Sequence, residues 1–277
     1  MRGYPGLLRP LNCLIAVVGI VIGAAVAVGA GGLGGFAFPV AAAALAGFVF
    51  TGGGNTLNDY FDREVDKANH PSRPIPSGQV TPAAAVRFAA VQFAASLVFG
   101  ALAGWPAFLV VTVNLLFMVS YELRFKRRGW GGNLVIGWLV ASLFFFGGVA
   151  TYSGSTMPLQ RVAWLGLLAF LATLGREIVK DIEDVAGDVD RRTLPMVLGV
   201  NRAGFIAASS FILAVILSAL PFTTGVLSAA YVGIVLVADA IFIYCAWFSA
   251  ENPSRVSDVS KYGMVVALIA FLAGGAL

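Results

Sequence analysis

A chain of 277 residues with 59% hydrophobic residues, 12% charged residues and a mean hydropathy of +0.88 falls outside the composition of ordinary soluble domains. Its formal net charge of +4 is mild, and its cations are interleaved with acids, which argues against a nucleic-acid partner. The composition excludes a water-soluble globular enzyme and leaves a polytopic membrane protein, an all-α bundle of helices that satisfy their own backbone groups.

Apolar runs long enough to cross a hydrocarbon core of about 30 Å follow one another at roughly 11–30, 36–57, 83–103, 106–122, 133–151, 160–178, 203–220, 224–249 and 260–277. Nine transmembrane helices are expected, in a single domain covering 1–277. The first run lacks a convincing cleavage site and reads as helix one, not as a signal peptide. Loops near 31–35, 104–105, 152–159 and 221–223 carry no Lys or Arg, and only Arg161 falls on that side. The other cations gather at the N-terminus and in 58–82, 122–132, 179–202 and 250–260. The positive-inside rule therefore places the N-terminus and those loops in the cytoplasm and the C-terminus outside.

An acidic pattern occurs twice. Asn55, Asp59, Asp62 and Asp66 return as Glu177, Asp181, Asp184 and Asp188, all at an offset of 122 residues. Ten of the fourteen acidic residues lie in the windows 59–66 and 177–190, each at the end of a long apolar run. Carboxylates are expensive beside hydrocarbon, so two matching sets suggest a site that gathers divalent cations and the anion they carry. Four predicted helices separate the copies, which makes the repeat parallel and places both copies on one side of the membrane. Continued at 100° per residue, positions i, i+4, i+7 and i+11 share one face, so two such faces can meet in a common cavity.

Several smaller features have their own readings. Gly52, Gly53 and Gly54 are not followed by Gly-Lys-Ser/Thr, so a Walker loop is excluded and close helix packing is expected instead. Pro71, Pro74 and Pro76 prevent a regular helix over Asn69–Gly78, which should form an ordered loop over the cavity carrying Arg73. Arg73, Lys126, Lys180, Arg191 and Arg192 are candidate partners of a diphosphate, whose departure needs cations beyond the metals. Cys13, Cys245 and His70 are too few and too scattered for a zinc site or a disulfide framework. Asp239, near the middle of the eighth span, is either functional or a carboxyl bonded to a neighbouring helix.

The words Asn58-Asp59-Tyr60-Phe61-Asp62-Arg63-Glu64-Val65-Asp66 and Asp181-Ile182-Glu183-Asp184-Val185-Ala186-Gly187-Asp188 resemble the two aspartate-rich motifs of the UbiA superfamily of intramembrane prenyltransferases. Helix count, motif placement after helices two and six, and Arg9-Pro10-x-Asn12 at the start of helix one agree with it. Within the superfamily, Arg73-Pro74-Ile75-Pro76-Ser77-Gly78, Arg176-Glu177-Ile178-Val179-Lys180 and Thr193-Leu194-Pro195 look most like the members that build archaeal ether lipids. His70 stands where an arginine is common there.

The resemblance implies a Mg²⁺-dependent enzyme that moves a geranylgeranyl group from its diphosphate to the free hydroxyl of geranylgeranylglyceryl phosphate, a membrane lipid precursor. It implies Asn58, Asp62, Asp66, Asp184 and Asp188 as metal ligands, with Asp59 and Asp181 as direct or water-mediated ligands. The catalytic carboxylates are thus Asp59, Asp62, Asp66, Asp181, Asp184 and Asp188. Arg9, Asn12, Asn55, Arg73, Tyr121, Lys126 and Lys180 are implied as substrate-binding. An apolar cavity rich in Phe, with Phe144, Phe145 and Phe146 as examples, would shelter the allylic cation from water. Two alternatives stand beside this reading: prenyl transfer to an aromatic quinone precursor or a porphyrin, and, from another class, a cation transporter.

Overall fold

The computed structural model describes residues 3–127, 130–185 and 192–275. Among them nine helices are long and apolar enough to cross a membrane. They are α1 (Pro10–Val28), α2 (Ala37–Phe61), α3 (Pro82–Ala103), α4 (Trp105–Leu123), α5 (Trp130–Ala150), α6 (Met157–Asp184), α7 (Val200–Ser218), α8 (Ala229–Phe248) and α9 (Pro253–Gly275). A short helix, Tyr4–Leu8, precedes α1, and another, Arg63–Asn69, follows α2. The protein is an integral multi-pass membrane protein, all-α as its sequence predicts.

Several helices run past the apolar stretches predicted for them. The sequence predicts a sixth span ending near 178, but α6 continues to Asp184 because Arg176 and Lys180 both pair with Glu177 on the same helix. The ninth begins at Pro253 instead of near 260, with proline at the first helical position and an Asp258–Lys261 pair in its second turn. The fifth begins at Trp130, three residues early. Charged residues occupy the added turns of α6 and α9, whereas α5 opens on Trp130, Gly131 and Gly132.

Packing repeats with a shift of four helices. α1 packs on α2, α5 and α6, while α5 packs on α6, α1 and α2. Likewise α2 lies on α3 as α6 lies on α7, and α3 on α4 as α7 on α8. The parallel repeat in the sequence is therefore a repeat of neighbours in space. At its centre α1 and α5 touch backbone to backbone. A Cβ on Gly23 would sit 2.1 Å from the Phe144 carbonyl oxygen, and one on Gly147 would sit 1.9 Å from that of Ile20. Gly104 makes the sharp turn between α3 and α4 at φ 126°, a conformation that only glycine adopts readily.

The glycine run in α2 serves packing, as its sequence predicts. Cβ atoms there would meet Leu8 and Gln92 at Gly52, the Phe93 ring at Gly53 and Met118 at Gly54. Cys13 and Cys245 are buried and unbridged. The loop after α2 is ordered by backbone hydrogen bonds, including Ser77 N to Arg73 O and Val80 N to Pro74 O, both 3.0 Å. It buries Ile75 and Val80 against Leu7.

Because Gly147 faces backbone that cannot turn aside, Gly147→Ala is expected to destabilise the protein by about 1–3 kcal/mol. Gly166→Ala, where the nearest atom is 3.5 Å away, should be neutral or stabilising. Thermal unfolding of both variants in detergent micelles checks this.

Candidate active site

The first motif does not run along one unbroken helix. α2 ends at Phe61, Asp62 forms the junction at φ −85°, ψ 0°, and the short helix Arg63–Asn69 carries Asp66 onward. Backbone bonds from Asp62 N to Asn58 O (2.9 Å) and from Asp66 N to Asp62 O (2.8 Å) keep the pieces nearly in line. The predicted stripe is therefore bent at its middle aspartate. Asn55 leaves the stripe altogether: its amide donates to the Leu8 carbonyl at 3.0 Å, with Cys13 Sγ on the same oxygen at 3.2 Å. It caps the short N-terminal helix against α2.

The remaining residues of that motif meet cations from elsewhere in the chain. Asp59 and Asp66 are nearly sealed from solvent, 2% and 4% exposed. Asp59 accepts a charge-assisted hydrogen bond from Arg9, whose backbone takes the left-handed conformation at φ 51° between the N-terminal helix and α1. Arg73 Nη1 donates to Asp66 Oδ2 at 2.6 Å and lies 3.8 Å from Asp59 Oδ1. Lys126 Nζ is 2.8 Å from Asp62 and 5.9 Å from the Tyr121 ring centre. Burial of these acids is tolerable because each has a cation beside it. Glu64, by contrast, points into solvent, where a hydrogen bond from Lys67 holds its carboxyl below the usual range.

The second motif continues α6. Glu177 pairs with Arg176 at 2.7 Å and with Lys180 at 3.4 Å. Asp181 accepts from Asn133 Nδ2 at 2.8 Å, and Asp184 is the exposed last residue of the helix. Asp188 and Arg191 lie outside the described residues, and Arg192 is exposed. Among the described residues no three carboxylates form a ready cation cage.

The sequence reading passed over two partners. Glu122, 4% exposed, accepts from Asn58 at 3.1 Å and from Lys126 at 3.0 Å. It is the sole Asp or Glu between Asp66 and Glu177, a signal available in the sequence. Asn133 was the other, and it opens α5 much as Asn12 opens α1. Between these partners, Gly132 would set a Cβ 3.4 Å from the Tyr121 ring, so α5 brings Asn133 and Asp181 up to the Tyr121–Lys126 turn.

Beneath the second motif lies a cavity of about 690 Å³. Asn12, Arg176 and Glu177 line its polar end, and apolar residues such as Phe144, Leu168, Val235 and Phe271 line the rest. Phe144 alone of the three consecutive phenylalanines lines it, while Phe145 and Phe146 pack in the core. Asp239 lines it too and accepts from Ser218 Oγ at 2.8 Å, the bond to a neighbouring helix that its sequence position allowed.

A membrane bundle with an apolar cavity at the foot of a charged cluster belongs to the class of intramembrane prenyltransferases. The chain matches the UbiA prenyltransferase family over residues 16–273 and belongs to that family. It is 38% identical over 281 residues to the digeranylgeranylglyceryl phosphate synthase of Methanothermobacter thermautotrophicus, covering 99% of this chain and 96% of that one. A solved structure of digeranylgeranylglyceryl phosphate synthase superposes with a TM-score of 0.85 at 32% identity, covering 99% and 98% of the two chains. A UbiA homolog from Archaeoglobus fulgidus bound to GPP and Mg²⁺ shares the fold, with a TM-score of 0.68 at 15% identity over 97% and 99%.

Removing the Arg73 guanidinium leaves Asp59 and Asp66 with one fewer counter-charge in a nearly sealed setting. Arg73→Met is expected to lower the apparent melting temperature in detergent. Adding Asp66→Asn should return part of the loss, because the two changes act on one pair.

Proposed function

We propose that this enzyme transfers a geranylgeranyl group from geranylgeranyl diphosphate to the free hydroxyl of geranylgeranylglyceryl phosphate, with Mg²⁺ as its metal. The observation that carries the reading is the cavity of about 690 Å³, mostly apolar apart from the Asp239–Ser218 pair in its wall, with Asn12, Arg176 and Glu177 at its polar end. That shape suits a ligand with a long isoprenoid tail and a diphosphate head. The acceptor follows from the full-length similarity to digeranylgeranylglyceryl phosphate synthases. The whole chain, 1–277, acts as one catalytic domain, with both motifs and the N-terminus facing the cytoplasm.

The donor set fits a hard divalent cation, since it offers carboxylate and amide oxygens and neither thiolate nor imidazole. Asn58, Asp62 and Asp66 would hold one ion and Asp184 and Asp188 another, with Asp59 and Asp181 as direct or water-mediated ligands. Bound there, Mg²⁺ supplies neutralisation of the charge that develops on the leaving diphosphate. Arg73, Lys126 and Lys180, which pair with Asp66, Asp62 and Glu177, add cations beside the two motifs that a diphosphate would meet, and stabilisation that grows as the allylic C–O bond breaks raises turnover more than binding. Arg9 acts through Asp59, and Tyr121 flanks Lys126. Phe144 and its apolar neighbours keep water from the allylic carbon, so the lipid hydroxyl captures it.

The test is an assay of purified protein with Mg²⁺ and labelled geranylgeranyl diphosphate, offered the glyceryl ether phosphate or an aromatic acceptor. Product is expected with the former alone. Product only with the aromatic acceptor would overturn the lipid reading, and absence of diphosphate release under every condition would overturn prenyl transfer. Asp62→Ala and Asp184→Ala should each lower turnover by about 100-fold or more.

A further inference from the structure

Glu122 belongs to neither acidic motif, yet its side chain is 1% exposed at the end of α4. Its two oxygens have separate partners. Oε1 accepts from Asn58 Nδ2 at 3.1 Å, and Oε2 accepts from Lys126 Nζ at 3.0 Å. Lys126, itself 6% exposed, reaches on to Asp62 at 2.8 Å. Both oxygens of this carboxylate therefore accept, one from an amide and one from an ammonium.

That constraint decides which way Asn58 faces. An amide has a donating and an accepting branch, and only the oxygen can bind a hard cation. With its NH₂ held by Glu122, Asn58 must turn its oxygen the opposite way. A reversed amide would set two acceptors against each other in a place almost without water.

We infer that Glu122 is a positioning residue for the first motif, fixing the Asn58 amide so that its oxygen serves as a metal ligand while seating Lys126 against Asp62. The inference rests on the assignment of Asn58 as a ligand in the proposed function. Groups that orient ligands in this way typically change metal affinity by about 10–100-fold when altered.

The test is a double-substitution cycle with Glu122→Gln and Asn58→Asp, read by binding of Mn²⁺ with inorganic diphosphate in electron paramagnetic resonance. Glu122→Gln is expected to weaken Mn²⁺ binding about 10-fold or more, because a neutral amide can meet either branch of Asn58. Asn58→Asp faces a carboxylate in the parent but a hydrogen-bond donor in the Glu122→Gln background. Its effect on Mn²⁺ affinity should therefore be more favourable in that background by about 10-fold.

Equal effects in the two backgrounds, or parental affinity in Glu122→Gln, would overturn the inference. Melting temperatures recorded in parallel separate a loss of folding from a loss of ligand geometry. If Glu122→Gln does not fold, Glu122→Asp, which keeps the charge but shortens its reach, takes its place: weaker Mn²⁺ binding is then expected from the single substitution, and parental affinity overturns the inference. Asp62→Ala serves as the reference. Loss of Mn²⁺ binding and of turnover there, beside an unaltered Glu122→Gln, rejects the role of Glu122 alone. Unaltered binding and turnover in Asp62→Ala rejects the metal assignment beneath it.

Discussion

Holding carboxylates at the edge of hydrocarbon is the constraint from which the rest of this molecule follows. Asp59 and Asp66 are almost sealed, and a sealed carboxylate needs a counter-charge as well as hydrogen bonds. Cations reach the first motif from three separate places: Arg9 before the first long helix to Asp59, Arg73 on the proline-rich loop to Asp66, and Lys126 after the fourth to Asp62. Each cation carries its own segment toward the acids. The left-handed turn at Arg9, the ordered loop around Arg73 and the end of α4 are thus tied to one cluster.

Most of the fold was legible in the sequence because hydrocarbon imposes a simple length rule on apolar runs. Part of its error comes from charged pairs. Helices continue past the apolar stretch wherever charged side chains pair along their own surface, as Arg176, Glu177 and Lys180 do, and hydropathy does not register such pairs. The break at Asp62 was equally hidden, since no proline or glycine marks it.

The site was legible where its residues come in a repeated pattern and silent where they come from a third helix. Asp59, Asp62, Asp66 and Asp181 announce themselves by spacing. Glu122, marked in the sequence only by its isolation as an acid, and Asn133 show their part through the partners they meet, which are remote in sequence, 64 and 48 residues away. Asn55 is the converse case, belonging to the pattern yet spent on capping a helix end.

The close approach of α1 and α5 has a further consequence. Where Gly23 and Gly147 bring the two backbones together, the axis relating the halves is solid. The two helices leave no gap at that level, and the cavity lies to one side of the contact. It is walled by α1 and by α5 to α9, with no residue from α2, α3 or α4. A duplicated plan has become lopsided. Both copies carry charge, but only one has opened to make room for a chain of carbon.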